Sequence, residues 1–569
     1  MEEQVWRVDV AKRLVGNEPV PPSWQRLGGR GLIARILLDE VPPRCDALGP
    51  LNRLIWAPGL IVGHMVSSCD RISVGAKSPL TGGVKESNAG GTTGLKMVSL
   101  GIKALILEGD LPPDGWWVLH VSNAGWRFDP GDDLAGLGAY PAAEKLRGRY
   151  GDKVALSLIG PCGEMRLAAS GILNLDKDRE PSRINARGGM GAVMGTRRLK
   201  AIVIDGAGGE KPPLVDPALF KAGQKLYTQA VMAHPQTALY RDYGTAGLAT
   251  MTHGFGALPT RGFSTGQFEG IDKISGEALR DLMLARGGAS EPSHACMPGC
   301  VIQSSNCFAG PQGETIVSPL EYETIGLVGS NLGIANLDEI GRLNWEINDL
   351  GLDTIDTGAA LGVAAQAGLM SFGDAARAMA LLGEIRQGTP LGRVLGSGAA
   401  VAGRVLGVRR VPVVKGQAMP AYDPRGIKGT GVTYATSPQG ADHTCGLTIR
   451  AKVDHLDPKV QADLSRSAQI NMAGYDTLGA CIFGGFGFAK APGAIRDLIN
   501  GRYGWGVGDD VLQELGLETL KLERAFNLAA GFNASDDRIP EWMTQEPLPP
   551  HNSVFDVDEG DLDRVAGWS

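Results

Sequence analysis

Two short segments, SNAGGTTG (residues 87–94) and RGGMGAVMG (187–195), hold glycine so densely that each must turn sharply and bring its backbone close to something else. Glycine lacks the Cβ that forbids such an approach. The chain has 82 glycines in 569 residues, about twice the usual share of roughly 7%. They gather in specific short motifs and do not form low-complexity runs. Each loop also carries cations: Arg71, Lys77 and Lys85 lie in or before the first, Arg183 and Arg187 in or before the second. Exposed backbone N–H groups beside cations suit phosphate. A single G-G-x-G is weak evidence, because a tight turn packed on a sheet reads the same way. Neither loop has the G-x-G-x-x-G spacing of a dinucleotide site with an acidic residue about 20 positions on.

The surrounding sequence divides into regions of different character. KALILEG (103–109), GWWVLHV (115–121) and LKAIVIDG (199–206) are short apolar runs bounded by Gly and Asp, as strands are. AGGEKPPL (207–214) is a linker. Beyond it, residues 216–233 have helical apolar spacing behind an Asp-Pro start, and 373–388 form a second helix ending at glycine. Residues 389–407 read as one more helix despite their glycines. VPVVKGQAMPAYDPRG (411–426) interrupts the helices and sets a second boundary near 410. The expected domains are 1–208, rich in β-strand, and two mainly helical regions, 209–410 and 411–569. That is an α+β chain whose Pro- and Asp-rich tail wraps the surface.

Net charge is −7 and the pI about 5.7, with no basic block, which argues against a nucleic-acid or membrane-surface partner. No stretch approaches the ~18 consecutive apolar residues of a membrane span. The acidic start MEEQVWRVDV does not read as a signal peptide. A cytoplasmic location is expected. Eight cysteines in so long a chain are not a secreted disulfide framework. Cys45, Cys69 and Cys162 stand alone and read as buried small hydrophobes. Three others fall within sixteen residues, SHACMPGCVIQSSNCF (293–308), as Cys296, Cys300 and Cys307 with spacing C-x3-C-x6-C. Cysteines this dense point to a metal or an iron–sulfur cluster, yet Ser293 and Ser304 stand where further ligands would be expected.

Other chemistry-bearing positions are individually ambiguous. Glu321 and Glu323 flank Tyr322 just after the cysteines, and either is a general base or a solvated acid. His443 lies in an irregular Gly/Asp/Thr-rich stretch of a chain with eight histidines. A lone histidine is more often structural than catalytic. NDLGLDTIDTG (348–358) and DTLGACIFGG (476–485) share the pattern [D/N]-x-L-G-x-[D/C], one in each helical region, which is either chance or the mark of two similar ligand halves.

Taken together and in order, SPLTGGVKESNAGG, RGGMGAVMGTRRLKAI, EYET, LGLDTIDTG, AYDPRGIKGTGVTYATS and DTLGACIF resemble the tungsten-containing aldehyde:ferredoxin oxidoreductase family. The resemblance runs from LGGRGL (27–32) to EPLPP (546–550). It implies a β-sheet base carrying a bis-pterin metal cofactor, tungsten or molybdenum, under two mainly helical domains. It also implies a 4Fe–4S cluster, a Mg2+ ion between the pterin phosphates, and oxidation of aldehydes to carboxylic acids in anaerobic metabolism. By that resemblance Arg71, Asn88 and Gly90 bind one pterin and Arg187 and Gly188 the other, while the backbone carbonyls of Asn88 and Gly188 hold Mg2+. Asn348 and Asp353, and Asp476 and Gly479, recognise the two pterins. Asn348 departs from the family's Asp, so its pterin contact loses charge assistance. Cys296, Cys300 and Cys481 bind the cluster, with Cys307, Ser304 or Ser293 completing it. Glu323 and His443 are the acid/base residues. Electrons leave to ferredoxin or an iron–sulfur subunit, and a homodimer is the commonest oligomer. Two alternatives remain: a family member that reduces a carboxylic acid, thioester or aromatic ring, and a cofactor-free relative. Retention of the pterin-type residues argues against the latter.

Overall fold

A computed structural model describes residues 2–568. The region up to residue 206 builds two six-stranded sheets. The first comprises β1 (Gln4–Asp9), β2 (Leu14–Pro19), β3 (Leu54–Pro58), β4 (Ile72–Lys77), β5 (Val84–Ala89) and β6 (Ile102–Glu108). Its strand order is β2-β1-β6-β3-β4-β5. The second comprises β7 (Trp117–Ser122), β8 (Gly125–Pro130), β9 (Ala155–Leu158), β10 (Ile172–Asn174), β11 (Arg183–Asn185) and β12 (Leu199–Asp205), in the order β11-β10-β9-β12-β7-β8. Counted from its own first strand, each sheet has the same order. Each also has the same pairing, parallel between first and sixth strands and antiparallel elsewhere.

The base is therefore one unit used twice, and the residues agree. NAGGTTG (88–94) precedes IKALILEG (102–109) in one half; NARGGMG (185–191) precedes LKAIVIDG (199–206) in the other. β3, β4, β6 and β12 are buried on both faces, which is why they read as continuous apolar runs without alternation. The equivalent lysines Lys103 and Lys200 are buried inside these strands, each paired with a glutamate, Glu3 and Glu164. The two sheets share a core in which Trp56 of β3 donates to Ser157 Oγ of β9 at 3.0 Å.

The helical part begins with Pro217–Ala233, where Asp216 accepts from the backbone N–H of Ala218 and Leu219 as its N-cap. This helix packs along Ala494–Tyr503 near the other end of the chain. The expected single helix over 389–407 is two, Pro390–Gly396 and Ala399–Leu406, because Gly398 takes a φ of +96° that ends the first run. The tail does more than wrap the surface: Phe555 and Trp568 enter the same core as residues 246–449. A small sheet of β13 (Glu291–His294), β14 (Ser305–Ala309) and β15 (Thr315–Val317) brackets the cysteine loop.

Candidate active site

Two helix ends are built alike and meet the two halves of the base alike. Helix Leu337–Leu350 ends at Gly351, φ +75°, with Leu352 N–H returning to Ile347 O and Gly351 N–H to Asn348 O. Helix Gln461–Leu478 ends at Gly479, φ +83°, with Ala480 N–H to Tyr475 O and Gly479 N–H to Asp476 O. These are paired Schellman turns, which need glycine in the left-handed region. Each rests on a glycine just past a base strand. A Cβ on Gly59, after β3, would lie 2.1 Å from Gly479 N; one on Gly160, after β9, would lie 2.7 Å from Gly351 N. Two residues beyond each turn glycine the halves diverge, to Asp353 in one and Cys481 in the other.

The glycine loops lie beside these ends. In the first half Arg71 donates to the side chain and backbone carbonyl of Asn88, and Asn88 Nδ2 donates to Asp476 Oδ1 at 2.9 Å. Asp476 Oδ2 meets Arg30, which holds Glu523 through two 2.8 Å bonds. In the second half Arg187 lies 3.3 Å from Asp353, which also caps helix Thr354–Gln366, and 3.8 Å from Asp356 and Asp442. Between the loops, buried Lys85 donates to Asp442 and Gln439, 2.8 Å each. Burial alone would raise Asp442, but Lys85 and Arg187 outweigh it and hold the carboxyl far below its usual range. The Asn88 carbonyl accepts from Arg71 and the Gly188 carbonyl from Ser78 Oγ at 2.7 Å, so each keeps one lone pair free.

Three cysteines converge behind the first half. Cys296 pairs with Cys300, and backbone N–H groups of Ile302 and Gln303 face Cys300, holding its thiol below the usual range. Cys300 Sγ is 3.3 Å from Ser68 Oγ, and Cys481 N–H donates to Ser68 O at 2.7 Å. Arg71 acts electrostatically on both Cys481 and Cys296 and lines the same cavity as they do. Cys307 is not with them. It lies on β14, 3.3 Å from Ser318 Oγ and 3.7 Å from His294 Nδ1. The reason is strand geometry: β14 begins at Ser305 and pairs Cys307 with Glu291 of β13, fixing its direction. Ser293 turns to Gln303, whereas Ser304 lines the cavity with Cys296 and Cys481.

That cavity encloses about 310 Å³ and is walled by Arg71, Asn88, Gly90, Asn348, Glu323 and His443 among others. Glu323 Oε2 accepts from Ala421 N–H at 2.8 Å, and its Oε1 is 3.4 Å from His443 Nε2. Burial raises the Glu323 carboxyl above its usual range despite the opposing pull of His443. Glu323 Oε1 and His443 Nδ1 have no hydrogen-bond partner. The backbone after Glu323 widens into a π-helical turn, Ile325–Gly329, a form often found at functional sites.

A cavity with thiols at one wall and a carboxylate–imidazole pair at another suits a redox enzyme that handles protons and electrons at separate points. The comparisons agree. Residues 5–206 match the family model described as aldehyde ferredoxin oxidoreductase, N-terminal domain, and residues 221–565 match that for its domains 2 and 3. Tungsten-containing aldehyde ferredoxin oxidoreductases from Pyrococcus abyssi and Thermococcus kodakarensis are 30% and 29% identical, covering 94% of this chain and 89% of each relative. The WOR-like subunit of an aliphatic sulfonate oxidoreductase from Pyrococcus furiosus is 26% identical over 92% of this chain and 85% of the relative. The active-site complex BamBC of benzoyl coenzyme A reductase has the same fold, with TM-score 0.80 at 18% identity over 99% of this chain and 92% of that one. The chain belongs to the aldehyde ferredoxin oxidoreductase family.

The residues fit what the family's name requires. A Cβ on Gly188 would strike Lys85 Cγ at 2.2 Å, where φ is also +91°, so that loop requires glycine, and one on Gly90 would press on Cys296 Sγ at 3.1 Å. Buried Arg183 makes no hydrogen bond through Nε or Nη2, and Nη2 reaches only Asp176 Oδ2 at 3.8 Å, so both are donors of the kind an anionic group satisfies. Lys85, Asp442 and Arg30 are further residues of the site that motif reasoning did not assign to it. Asp442 could have been found beside His443, and Arg30 inside LGGRGL; Lys85 was legible only as one cation among several. No helix among the described residues is long and apolar enough to cross a membrane.

Proposed function

We propose that this protein oxidises aldehydes to carboxylic acids, R-CHO + H2O → R-COOH + 2 e⁻ + 2 H⁺, and passes the electrons to ferredoxin or an iron–sulfur subunit. The observation that carries this reading is the Glu323–His443 pair, 3.4 Å apart, facing a cavity that also exposes Cys296 and Cys481. A tungsten bis-pterin held by the two glycine cradles would supply the two-electron acceptor, and a cluster on the cysteines the one-electron exit. Arg71, Asn88, Gly90, Asp476 and Gly479 would hold one pterin; Arg187, Gly188, Asn348 and Asp353 would hold the other. The free lone pairs of the Asn88 and Gly188 carbonyls suit Mg2+ between phosphates. Glu323 removes a proton from the attacking water, a role its burial favours by making the carboxylate more basic. His443 hydrogen-bonds the substrate oxygen and Tyr422, 5.8 Å away ring to ring, backs the imidazole. Cys296, Cys300 and Cys481 would supply three cluster ligands, with an oxygen donor, Ser304 or solvent, at the fourth iron.

The test is anaerobic purification from cells supplied with tungstate, metal counting, and a panel of aldehydes with a viologen dye as acceptor. About one tungsten and three to four irons per chain with aldehyde-dependent dye reduction supports the reading. Full metal without turnover of any aldehyde overturns the substrate class. The sulfonate oxidoreductase subunit's similarity favours a second reading, in which an aliphatic sulfonate is the substrate, so sulfonates belong in the same panel.

A further inference from the structure

Cys307 has its own neighbours, and they form a second donor set. On β13, His294 directs Nδ1 to Glu291 Oε2 at 2.7 Å and to Cys307 Sγ at 3.7 Å. The three donor atoms lie within 4.8 Å of one another. We propose that Glu291, His294 and Cys307 bind one divalent zinc ion at a site separate from the iron–sulfur cysteines and the cavity.

Three observations carry it. The first is spacing. Donors at about 2.0 Å (nitrogen, oxygen) and 2.3 Å (thiolate) around a tetrahedral zinc stand roughly 3.3–3.7 Å apart, so Sγ···Nδ1 at 3.7 Å already fits and the Glu291 carboxylate must draw back by roughly 0.6 Å. The second is the far side of the imidazole. His294 is 2% exposed, and its buried Nε2 has no aligned hydrogen-bond partner. That nitrogen faces Asp178 Oδ2 at 3.2 Å and Asp176 Oδ2 at 3.7 Å. A carboxylate behind a histidine keeps the proton on the remote nitrogen and turns the lone pair of the near one outward, as at most metal-bound histidines. Without a metal, Nδ1 donates its proton to Glu291 Oε2 at 2.7 Å; zinc would displace that proton and take the lone pair, leaving the Nε2 proton facing the two aspartates. The third is donor type. Sulfur, imidazole and carboxylate together suit zinc, whereas calcium and magnesium take oxygen. The Cys307 thiol proton and the His294 Nδ1 proton leave to solvent on binding. Glu291 is an exposed ligand, which leaves a water-accessible fourth position.

The ion's place gives it a structural purpose. It would tie β13 and β14 to the loop holding Asp176 and Asp178. That loop leads to Arg183, which lines the cavity and donates to Ser305 Oγ of β14 at 3.0 Å.

The experiment uses the full chain, purified anaerobically with zinc supplied. Zinc, iron and tungsten are counted per chain, and zinc-edge X-ray absorption reports the ligands. One zinc with a single sulfur neighbour is expected, lost in Cys307→Ser, with iron content and the reduced-cluster EPR signal unchanged. Because His294 is buried and its removal can unfold the strand, Glu291→Gln on the exposed side is the second variant. It should weaken zinc retention against a chelator at least tenfold. Wild-type protein without zinc or another first-row ion beyond the cluster iron overturns the proposal and leaves His294 as a charged hub among carboxylates. Loss of iron in Cys307→Ser overturns it too, by returning Cys307 to the cluster.

Discussion

Replacing Glu323 by glutamine removes one function and leaves the surrounding structure its bonds. The glutamine carbonyl can still accept from Ala421 N–H, now 2.8 Å from Oε2, so the 421 segment keeps its anchor. The atom facing His443 Nε2 at 3.4 Å becomes an NH2 that cannot take a proton. Loss of a positioned general base costs about 10²–10⁴ in rate, or about 3–5.5 kcal/mol of barrier. Burial raises the Glu323 pKa, so the ionised base is lost on acidification at a pH above the ordinary carboxylate range. The wild-type kcat/KM should therefore climb with pH through that raised value, and the acidic limb should vanish in Glu323→Gln. The assay is aldehyde-dependent viologen reduction from acid to alkaline pH, on protein whose tungsten and iron contents match wild type. A fully loaded variant within tenfold of wild type, or one that keeps the acidic limb, would refute the assignment of the base.

Gly59→Ala places a Cβ 2.1 Å from Gly479 N and 2.3 Å from Gly479 Cα, both backbone. It should cost at least about 1–3 kcal/mol and lower iron content through Cys481; Gly148→Ala, in open space on helix Ala139–Tyr150, should instead stabilise by about 0.8–1 kcal/mol. Equal melting temperatures for Gly59→Ala and wild type would sink the argument from close approach. Burial pushes the Asp70 carboxyl up to about 7 although Gly63 N–H donates to it, so the folded protein holds that proton where the unfolded chain has lost it. Stability from this group is whole below about pH 4 and lost as pH rises to about 7, at most about 4 kcal/mol; Asp70→Asn should therefore gain on wild type in apparent melting temperature between pH 5 and 8, and a pH-independent difference counts against it. An iron held by oxygen instead of thiolate should leave first under mild oxidation, giving a three-iron EPR signal, while an oxidised cluster that keeps all four irons argues for a fourth cysteine.

Local chemistry was the legible part of this chain. Asp216 caps its helix because Asp-Pro is a start signal on its own, and LKAIVIDG is a strand because a run of buried β-formers needs no partner to be recognised. Tertiary direction was hidden. Cys307 lies seven positions from Cys300 in sequence, yet a strand starting at Ser305 commits its side chain to His294, and nothing in the spacing announces that strand. The break at Gly398 was hidden because a glycine within a helical pattern reads as tolerable until its φ is known. The duplication was within reach, since NAGG with IKALILEG and NARGG with LKAIVIDG differ by one inserted arginine and conservative swaps. It escaped because each copy reads first as a loop or a strand, and only the matching sheet orders make the pair a unit.

That inserted arginine, Arg187, and the change from Asp353 to Cys481 explain how a duplicated scaffold serves an asymmetric reaction. Both halves offer a glycine cradle, a Schellman turn and a guanidinium. In one, Arg71 binds the cradle's Asn88 and acts electrostatically on the thiols of Cys296 and Cys481. In the other, Arg187 lies among Asp353, Asp356 and Asp442 and within the electrostatic reach of Glu323. A thiolate cluster carries electrons and has no use for a proton-transfer group at its side; a buried carboxylate network holds protons and carries no electrons. In the proposed reaction, placing them on opposite sides of a near-symmetric site would send a substrate's two electrons and its protons in different directions. A swap that made the halves alike, Cys481→Asp, should then keep the fold and the tungsten content while aldehyde-dependent dye reduction stops. If such a variant still turned over with ferredoxin at the wild-type rate, the division of labour between the halves would be wrong.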